Sequence, residues 1–308
     1  MPIFSEFDLD LYRIDILESF KAERIPLDEV IPGLMTSQVG ILVAPGGVGK
    51  SYFALQLLFQ ISLGSEINFS LGLKVQSGGP YNVIYLSFED NKEIISKRLQ
   101  TIKDFWSSNQ LNNDSLTYAT SSVHIFSLAR SNLRLIDQFG NKTKLYDDVL
   151  NKALELKPRI VIIDTLRRSH NCDENNNGSM SNVISHFEIL AEKSGSSVLL
   201  LHHETKVSTG GTSSSRGASS IVDSVRFMMR MQVMTKLESE KFNFSDDQRK
   251  SWVSLSTEKT NYTAALRSFW LKRTERGLLI TDTPVLSCSV PKITQHKPKN
   301  GGKVYGWQ

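Results

Sequence analysis

The 308-residue sequence predicts an α/β fold in which a mainly parallel, twisted sheet is covered by helices. Three observations lead to this prediction. Four short apolar runs have the length and composition of strands that are buried on both faces of a sheet. Segments with helical periodicity separate these runs, an alternation typical of parallel sheets. A glycine-rich turn ending in Gly-Lys-Ser joins the first apolar run to a helical segment, as in a phosphate-binding loop.

The elements of the predicted sheet can be placed in chain order. The four apolar runs lie at residues 39–43, 82–87, 159–163 and 197–201, and residues 124–128 predict one further strand. The helical segments lie around 51–62, 92–105, 143–156 and 180–193. After residue 221 the pattern changes to short alternating segments at 225–229, 252–255 and 267–271. These predict C-terminal antiparallel strands that extend the sheet.

Composition and spacing predict one core with two appendages. Residues 1–30 form an N-terminal arm that links subunits, with helical spacing at Ile14, Ile16, Leu17 and Phe20. The core spans residues 31–285, and residues 286–308 form a basic, disordered tail. The net charge of +4 is too small to indicate nucleic-acid binding by itself. We expect a cytoplasmic protein without a membrane partner, because no apolar run has the length of a membrane span and two cysteines match no metal spacing.

The motif Ala44-Pro-Gly-Gly-Val-Gly-Lys-Ser51 predicts binding of ATP with Mg²⁺. Its glycines let successive backbone N–H groups point at phosphate oxygens, and the following helix adds the positive end of its dipole. Lys50 can reach the β- and γ-phosphates, and the Ser51 hydroxyl can ligate Mg²⁺. A chance glycine-rich turn is the alternative, which the strand–loop–helix setting disfavours. The predicted nucleotide-binding residues are Ala44, Pro45, Gly46, Gly47, Val48, Gly49, Lys50, Ser51 and Tyr52.

Two acids follow other predicted strands at the same edge of the sheet. Asp164 ends the run 159–163 and is predicted to hold Mg²⁺, the alternative being a cap of the following turn. Glu89 follows the run 82–87 and is predicted to be the catalytic base that orients the attacking water. We assign its neighbour Asp90 to the N-cap of the helix that begins near Lys92.

His202 and His203 end the run 197–201 at this edge as well. We predict that His202 senses the γ-phosphate and reports it to the loop that follows. A His pair could instead bind a metal, but no other residue with ligand spacing lies nearby.

The order of these motifs resembles the RecA-like hexameric ATPases and, more narrowly, the RepA family of plasmid replicative DNA helicases, over about residues 24–232. Residues 26–34 and 39–47 resemble that family's entry to its core and its variant phosphate loop, in which Ala44 replaces the usual first glycine. The resemblance implies a RecA-like core that works as a homo-oligomeric ring, expected to be a hexamer, with ATP bound between subunits. The loop 204–219 is shorter and richer in serine than this family implies, and the turn 165–170 fits it only loosely.

An arginine finger that reaches into the neighbouring site is also implied by the resemblance. Its strand context is similar to residues 222–227, which places the finger at Arg226. A guanidinium supplied in trans stabilises the charge that develops on the transferred phosphoryl group. Arg216, within Ser-Arg-Gly, is the rival candidate, and either arginine could instead be a surface residue in an ion pair.

The substrate on which the predicted ring-forming ATPase acts is the least determined part of the prediction. Candidate loops for single-stranded DNA span 165–180 and 204–219 and carry Arg167, Arg168, Lys206 and Arg216. Neither loop contains an aromatic residue, so contacts would be made to the backbone; alternatively, both are simply solvated. One hypothesis is a helicase that unwinds duplex DNA in replication, with an initiator or primase partner. The other is an ATPase switch in DNA recombination, repair or partner assembly, without unwinding.

Overall fold

A computed structural model of the chain describes residues 13–23, 26–64, 71–75, 79–108, 113–204, 223–262 and 268–286, together with positions 8, 10 and 221. Three regions discussed above lie wholly or largely outside these residues: the start of the arm, most of the loop 204–219 with Lys206 and Arg216, and the tail from residue 287 onwards, which contains Cys288.

A single nine-stranded sheet forms the centre of the described part of the chain. Its strands are β3 (Val39–Ala44), β4 (Val83–Ser87), β5 (Val123–Ser127), β6 (Ile160–Asp164), β7 (Ser197–His203), β8 (Phe227–Val233), β9 (Trp252–Thr260), β10 (Phe269–Arg273) and β11 (Leu279–Thr281). They lie in the order β11-β10-β9-β8-β3-β7-β6-β4-β5. Two short strands, β1 (Glu29–Ile31) and β2 (Leu34–Met35), pair separately.

The sheet confirms the predicted mainly parallel fold with an antiparallel extension. The five strands β3 to β7 run parallel to their neighbours, as their mainly apolar sequences predict. The prediction for β8 was only half right, because β8 pairs in parallel with β3 and antiparallel with β9. It is therefore the strand at which the direction of pairing changes. Its buried apolar residues fit that central position.

Helices cover both faces of the sheet, as predicted. They are α1 (Ile16–Lys21), α2 (Lys50–Leu63), α3 (Lys92–Ser108), α4 (Asn113–Ser122), α5 (Lys144–Leu156), α6 (Leu166–Ser169), α7 (Asn177–Ser194), α8 (Lys236–Lys241) and α9 (Asp246–Lys250). Within the described ranges, no helix is both long and apolar enough to cross a membrane.

The pleat of the central strands divides the core into two apolar clusters. On β6, Ile160 and Ile162 face the cluster that contains α2, whereas Val161 and Ile163 face the cluster packed against α5 and α7. Asp164 continues the alternation that begins with Ile160 and Ile162, so its side chain lies on the α2 face. The pleat therefore directs the acid at the end of β6 towards the helix that begins at the glycine-rich loop.

The start of α3 differs from the prediction. Asn91 caps this helix by accepting the N–H of Ile94 at 3.0 Å. Asp90, the predicted cap, instead forms an ion pair with Arg98, which lies about two helical turns into α3. The local sequence offers two adjacent capping residues, and the tertiary contact with Arg98 decides between them.

Candidate functional site

The glycine-rich loop between β3 and α2 is shaped to receive an anion. Gly47 and Gly49 have φ values of 77° and 108°, in the left-handed region that glycine tolerates. A Cβ atom added to Gly46 or Gly47 would meet no atom within 4 Å, so this side of the loop is open. Gly49 is the N-cap of α2 and has no side chain to bond the first helical N–H groups, which leaves them for a ligand.

Lys50 is the first residue of α2 and is only 5% exposed. Its Nζ atom donates to the carbonyl oxygen of Ala44 at 2.9 Å and lies 2.9 Å from Nδ1 of His203. Burial lowers the pKa of Lys50 to about 8, although the carboxylates of Asp164 and Glu89 oppose this shift. The amine is thus held at the mouth of the loop by protein groups.

Asp164 and Ser51 lie together beside the loop. The Ser51 hydroxyl donates to the Asp164 carboxylate, and Tyr85 donates to Oδ2 of Asp164 at 2.5 Å. Burial raises the pKa of Asp164. Its Oδ1 atom is buried and has no hydrogen-bond partner among the described residues. The side chain faces the loop rather than capping the following turn.

This pair of oxygen donors fits Mg²⁺. Magnesium is bound in such sites by one or two protein oxygens together with waters and substrate phosphates. The unpartnered Oδ1 of Asp164 offers one ligand atom, and the Ser51 hydroxyl offers another. No group of three His, Cys, Asp or Glu side chains suited to a metal occurs in the described ranges. The ion would therefore depend on phosphate oxygens to complete its coordination.

Glu89 lies across the cleft from the loop. Its carboxylate accepts a hydrogen bond from Thr165 at 3.2 Å and lies 3.3 Å from Nε2 of His203 and 3.4 Å from Nε of Arg168. The hydrogen bond from His203 is the main reason that the pKa of Glu89 is lowered, so the group is ionised at neutral pH. An ionised, partly exposed carboxylate in this place can accept a proton from water.

His203 reaches the cleft, whereas His202 does not. Successive side chains of β7 point to opposite faces of the sheet, and His203 shares its face with Leu201 and α2. His202 lies on the other face, where burial lowers its pKa to about 4. The geometry therefore moves the proposed phosphate-sensing role from His202 to His203. Because Lys50 has only donors, Nδ1 of His203 accepts and Nε2–H points to Glu89.

The C-terminal antiparallel strands supply the opposite wall of the cleft, which the sequence did not predict. Arg273, at the end of β10, donates to the carbonyl oxygens of Gly47 and Val48 at 3.1 and 2.6 Å. Gln56 in the middle of α2 exchanges two hydrogen bonds with the backbone of Leu279, at 2.8 and 3.0 Å. These contacts join segments more than 220 residues apart, so no local pattern could indicate them.

The resulting cleft has a volume of about 370 Å³. Of the predicted nucleotide-binding residues, Pro45, Gly47, Gly49, Lys50, Ser51 and Tyr52 line it, together with Glu89 and His203. Arg98 also lines the cleft, and its guanidinium lies over the ring of Tyr52 at 5.4 Å from the ring centre. The cleft combines a phosphate-binding loop, a buried lysine, two carboxylates and a hydroxyl in one place.

Residues 11–209 match a family model described as an AAA domain. The chain belongs to the AAA domain family. This AAA domain also resembles the solved structure of the ATPase domain of G40P, with a TM-score of 0.52 at 14% identity over 91% of this chain and all (100%) of that one. The crystal structure of the RadB recombinase gives a TM-score of 0.47 at 14% identity, covering 80% and 91% of the two chains. The family match makes this chain a P-loop ATPase, and its fold is RecA-like, as the sequence predicted.

Replacing Arg273 by alanine should weaken ATP binding by the AAA domain about tenfold. The guanidinium holds two carbonyl oxygens on the outer side of the phosphate loop. A tenfold change is about 1.4 kcal/mol, close to the lower end of what one hydrogen bond from a charged group contributes. Titration calorimetry with a non-hydrolysable ATP analogue measures the effect. Arg276→Ala is the matched control, since Arg276 is in the same turn but pairs with Asp104 at 2.8 Å. Equal ATP affinities of the two variants would show that the contact of Arg273 with the phosphate loop is not needed for ATP binding.

Arg226 lies at the edge of the sheet opposite the phosphate loop of its own AAA domain. It precedes Phe227, which pairs with Gly40 near the start of β3, and four residues of strand separate Gly40 from Ala44, about 13 Å. The guanidinium is exposed, and its Nη1 donates to the hydroxyl of Tyr262 at 2.7 Å. Among the other predicted basic residues, Arg167 and Arg168 lie 3.4 Å from Glu174 and Glu89 respectively.

Proposed function

We propose that this protein is a ring-forming, ATP-driven motor that translocates on single-stranded DNA, as a DNA helicase of the replicative type. The observation that carries the proposal is the position of Arg226, which is exposed at the sheet edge away from its own phosphate loop. An arginine there can complete the site of a neighbour but not its own, so hydrolysis would require assembly.

The residues of the subunit that binds the nucleotide, which act in cis, have separate roles in hydrolysis. Lys50 and the N–H groups of the loop hold the phosphates, and Ser51 with Asp164 would hold Mg²⁺, which screens the phosphate charge. Glu89 accepts a proton from the attacking water while the water oxygen bonds to the γ-phosphorus. At the same time, the bond between the γ-phosphorus and the oxygen that bridges to the β-phosphate breaks. The products are ADP and inorganic phosphate. His203 contacts both Lys50 and Glu89 and so is placed to respond to the γ-phosphate.

Arg226 would act in trans on this reaction. Charge spreads over the oxygens of the transferred phosphoryl group in the transition state, and a guanidinium from a second subunit stabilises it. Its hydrogen bond to Tyr262 raises the pKa of Arg226 further, so the charge is always present. Arg216 remains the alternative finger, although it lies outside the described residues.

The arm of residues 1–30 would link subunits in this assembly. Helix α1 presents apolar side chains to solvent, with Ile16 and Phe20 65% and 83% exposed. Contiguous exposed apolar side chains indicate an interaction surface. The core of residues 31–285 would then carry the chemistry, and the basic tail of 286–308 could add non-specific affinity for nucleic acid.

A second candidate function is an ATPase switch that does not unwind DNA. The two basic candidates of the loop 165–180, Arg167 and Arg168, pair with acids of their own chain rather than standing free for a phosphate backbone. Under this alternative, hydrolysis would gate assembly with a protein partner.

The rate of ATP hydrolysis with and without single-stranded DNA separates the two functions. The motor predicts a stimulation of about tenfold or more by single-stranded DNA, with ATP-dependent displacement of a labelled strand from a forked duplex. A turnover rate indifferent to DNA, or stimulated without strand displacement, would leave the switch as the better description. Glu89→Gln, which keeps the shape of the side chain but not its basicity, is the inactive control.

A further inference from the structure

The turn of residues 137–141 is fixed in place by hydrogen bonds. The Asp137 carboxylate accepts the N–H groups of Phe139 and Asn141, both at 2.8 Å. The carbonyl oxygen of Gly140 accepts from the Asn182 side chain at 3.0 Å and lies 2.8 Å from Nε2 of His186. Because both partners of Gly140 belong to α7, the backbone of the turn is anchored to the body of the protein.

Phe139 projects from this anchored turn into solvent. Its side chain is 78% exposed, more than any other large apolar side chain among the described residues of 31–285. Single exposed apolar residues are common on protein surfaces, so exposure alone indicates nothing. What distinguishes Phe139 is the fixed backbone that presents it and the charge that surrounds it.

The segment around Phe139 is basic. Residues 128–145 contain Arg130, Arg134, Lys142 and Lys144 but one acid, Asp137, whose oxygens bond the turn. Lys144 pairs with Asp148 at 2.8 Å. The other three cations form no ion pair with any residue that the structure describes. Cations with an exposed aromatic ring are the combination by which proteins bind single-stranded nucleic acid.

The turn is also connected to the ATP site. The N–H of Leu135 donates to the carbonyl oxygen of Ser169 at 2.7 Å, which joins the segment to helix α6. Arg168 precedes Ser169 on that helix and lies 3.4 Å from Glu89. A ligand on the turn would therefore bind next to helix α6, whose Arg168 contacts Glu89, the proposed catalytic base.

We propose that Phe139 stacks on a base of a single-stranded nucleic acid whose phosphates lie along Arg130, Arg134 and Lys142. The ring supplies an apolar face that any base can cover, and the three cations supply the sequence-independent attraction. The inference rests on the proposed motor function and adds to it an aromatic contact outside the loops 165–180 and 204–219. A protein partner fits less well, because it would have to neutralise three cations that lack carboxylate partners.

Fluorescence anisotropy with labelled oligothymidine and oligouridine of about 20 nucleotides tests this site on the full chain. Phe139→Ala is expected to weaken binding about 5- to 150-fold, and Phe139→Tyr to retain it. The control is Leu237→Ala, which removes a side chain of similar exposure, 70%, from α8 and should change nothing. The two oligonucleotides decide whether the strand is DNA or RNA.

The salt dependence separates stacking from charge. Phe139→Ala should leave the slope of log affinity against log salt unchanged, whereas Lys142→Ala should reduce it by about one. An oligonucleotide without bases should bind wild type and Phe139→Ala equally. The rate of ATP hydrolysis without nucleic acid should equal that of wild type in all of these variants, since none of the substituted residues contacts the cleft.

Two outcomes would overturn the inference while leaving the motor intact. In one, wild type binds the strand and Phe139→Ala binds it equally well. In the other, Phe139→Ala lowers the native mass of the assembly, which would make the ring a contact between subunits. If the wild-type chain binds neither oligonucleotide, the proposed motor function fails as well, and the switch remains.

Discussion

Lys50→Ala is expected to lower ATP turnover by about 10³-fold or more, because the variant loses the charge that meets the β- and γ-phosphates. Contacts with Ala44 and His203 place this lysine at the loop. Its loss also removes a cation that interacts with the carboxylates of Asp164 and Glu89, which increases repulsion of the nucleotide.

A phosphate-release assay at saturating ATP measures the loss of turnover. Lys144→Ala, which removes an exposed lysine that pairs with Asp148, is the control for a general effect of charge. A far-ultraviolet spectrum and melting curve like those of wild type would show that the variant is folded. Turnover within tenfold of wild type would contradict the assignment of the phosphate loop.

The same lysine gives the wild-type protein a pH dependence of known sign. Burial lowers the pKa of Lys50 to about 8, so the amine loses its proton as the pH rises through 8. Bound phosphate favours the charged amine and raises its pKa, so binding above pH 8 must take up a proton. ATP affinity should therefore fall above pH 8, by at most about tenfold per pH unit, and calorimetry in buffers of different ionisation enthalpy would report the proton.

Arg226→Ala is expected to lower turnover by about 10³- to 10⁵-fold, the contribution measured for arginine fingers, with ATP affinity within a few-fold of wild type. The reason is that the guanidinium would act on a neighbour's phosphoryl group in the transition state. Arg226→Lys should remain defective, because an ammonium cannot reproduce the forked geometry. An unchanged rate would leave Arg216 as the candidate finger.

Mixed assemblies provide the sharper test of action in trans. Arg226→Ala subunits keep Glu89, and Glu89→Gln subunits keep Arg226, so an interface between the two can contain one intact site. Mixing two inactive variants should restore part of the activity, in proportion to the frequency of such interfaces. No recovery, in samples whose native mass shows mixed assemblies, would mean that each subunit hydrolyses ATP with its own residues.

The parallel part of the fold could be predicted because it depends on the composition of each strand alone. Strands buried on both faces are apolar along most of their length, and residues 160–163 and 198–201 show this without reference to any other part of the chain. Their carboxyl ends meet at one edge of the sheet, which is why Asp164, Glu89 and the phosphate loop could be brought together from sequence.

The parts that could not be predicted depend on relations between elements. Whether His202 or His203 faces α2 depends on the pleat of β7, and an apolar run buried on both faces does not show which face is which. The contact of Arg273 with the loop spans 225 residues, and an isolated arginine after a short strand has no distinguishing pattern. Phe139 could have been noticed as an aromatic next to a glycine and basic residues, but only the structure shows its exposure.

The strands beyond residue 209 determine how large a unit is needed to hold nucleotide. The family match ends at that residue, yet β8 covers one side of β3, and Leu279 satisfies both polar groups of the buried Gln56. A chain shortened there would keep Lys50, Ser51, Glu89 and Asp164 but would lose the proposed finger Arg226. It would also turn the central strand of the site into an unpaired edge, with the loop no longer held at its outer side. The shared part of the chain carries the residues that face the bound phosphates in cis, and the remainder completes the sheet that supports them.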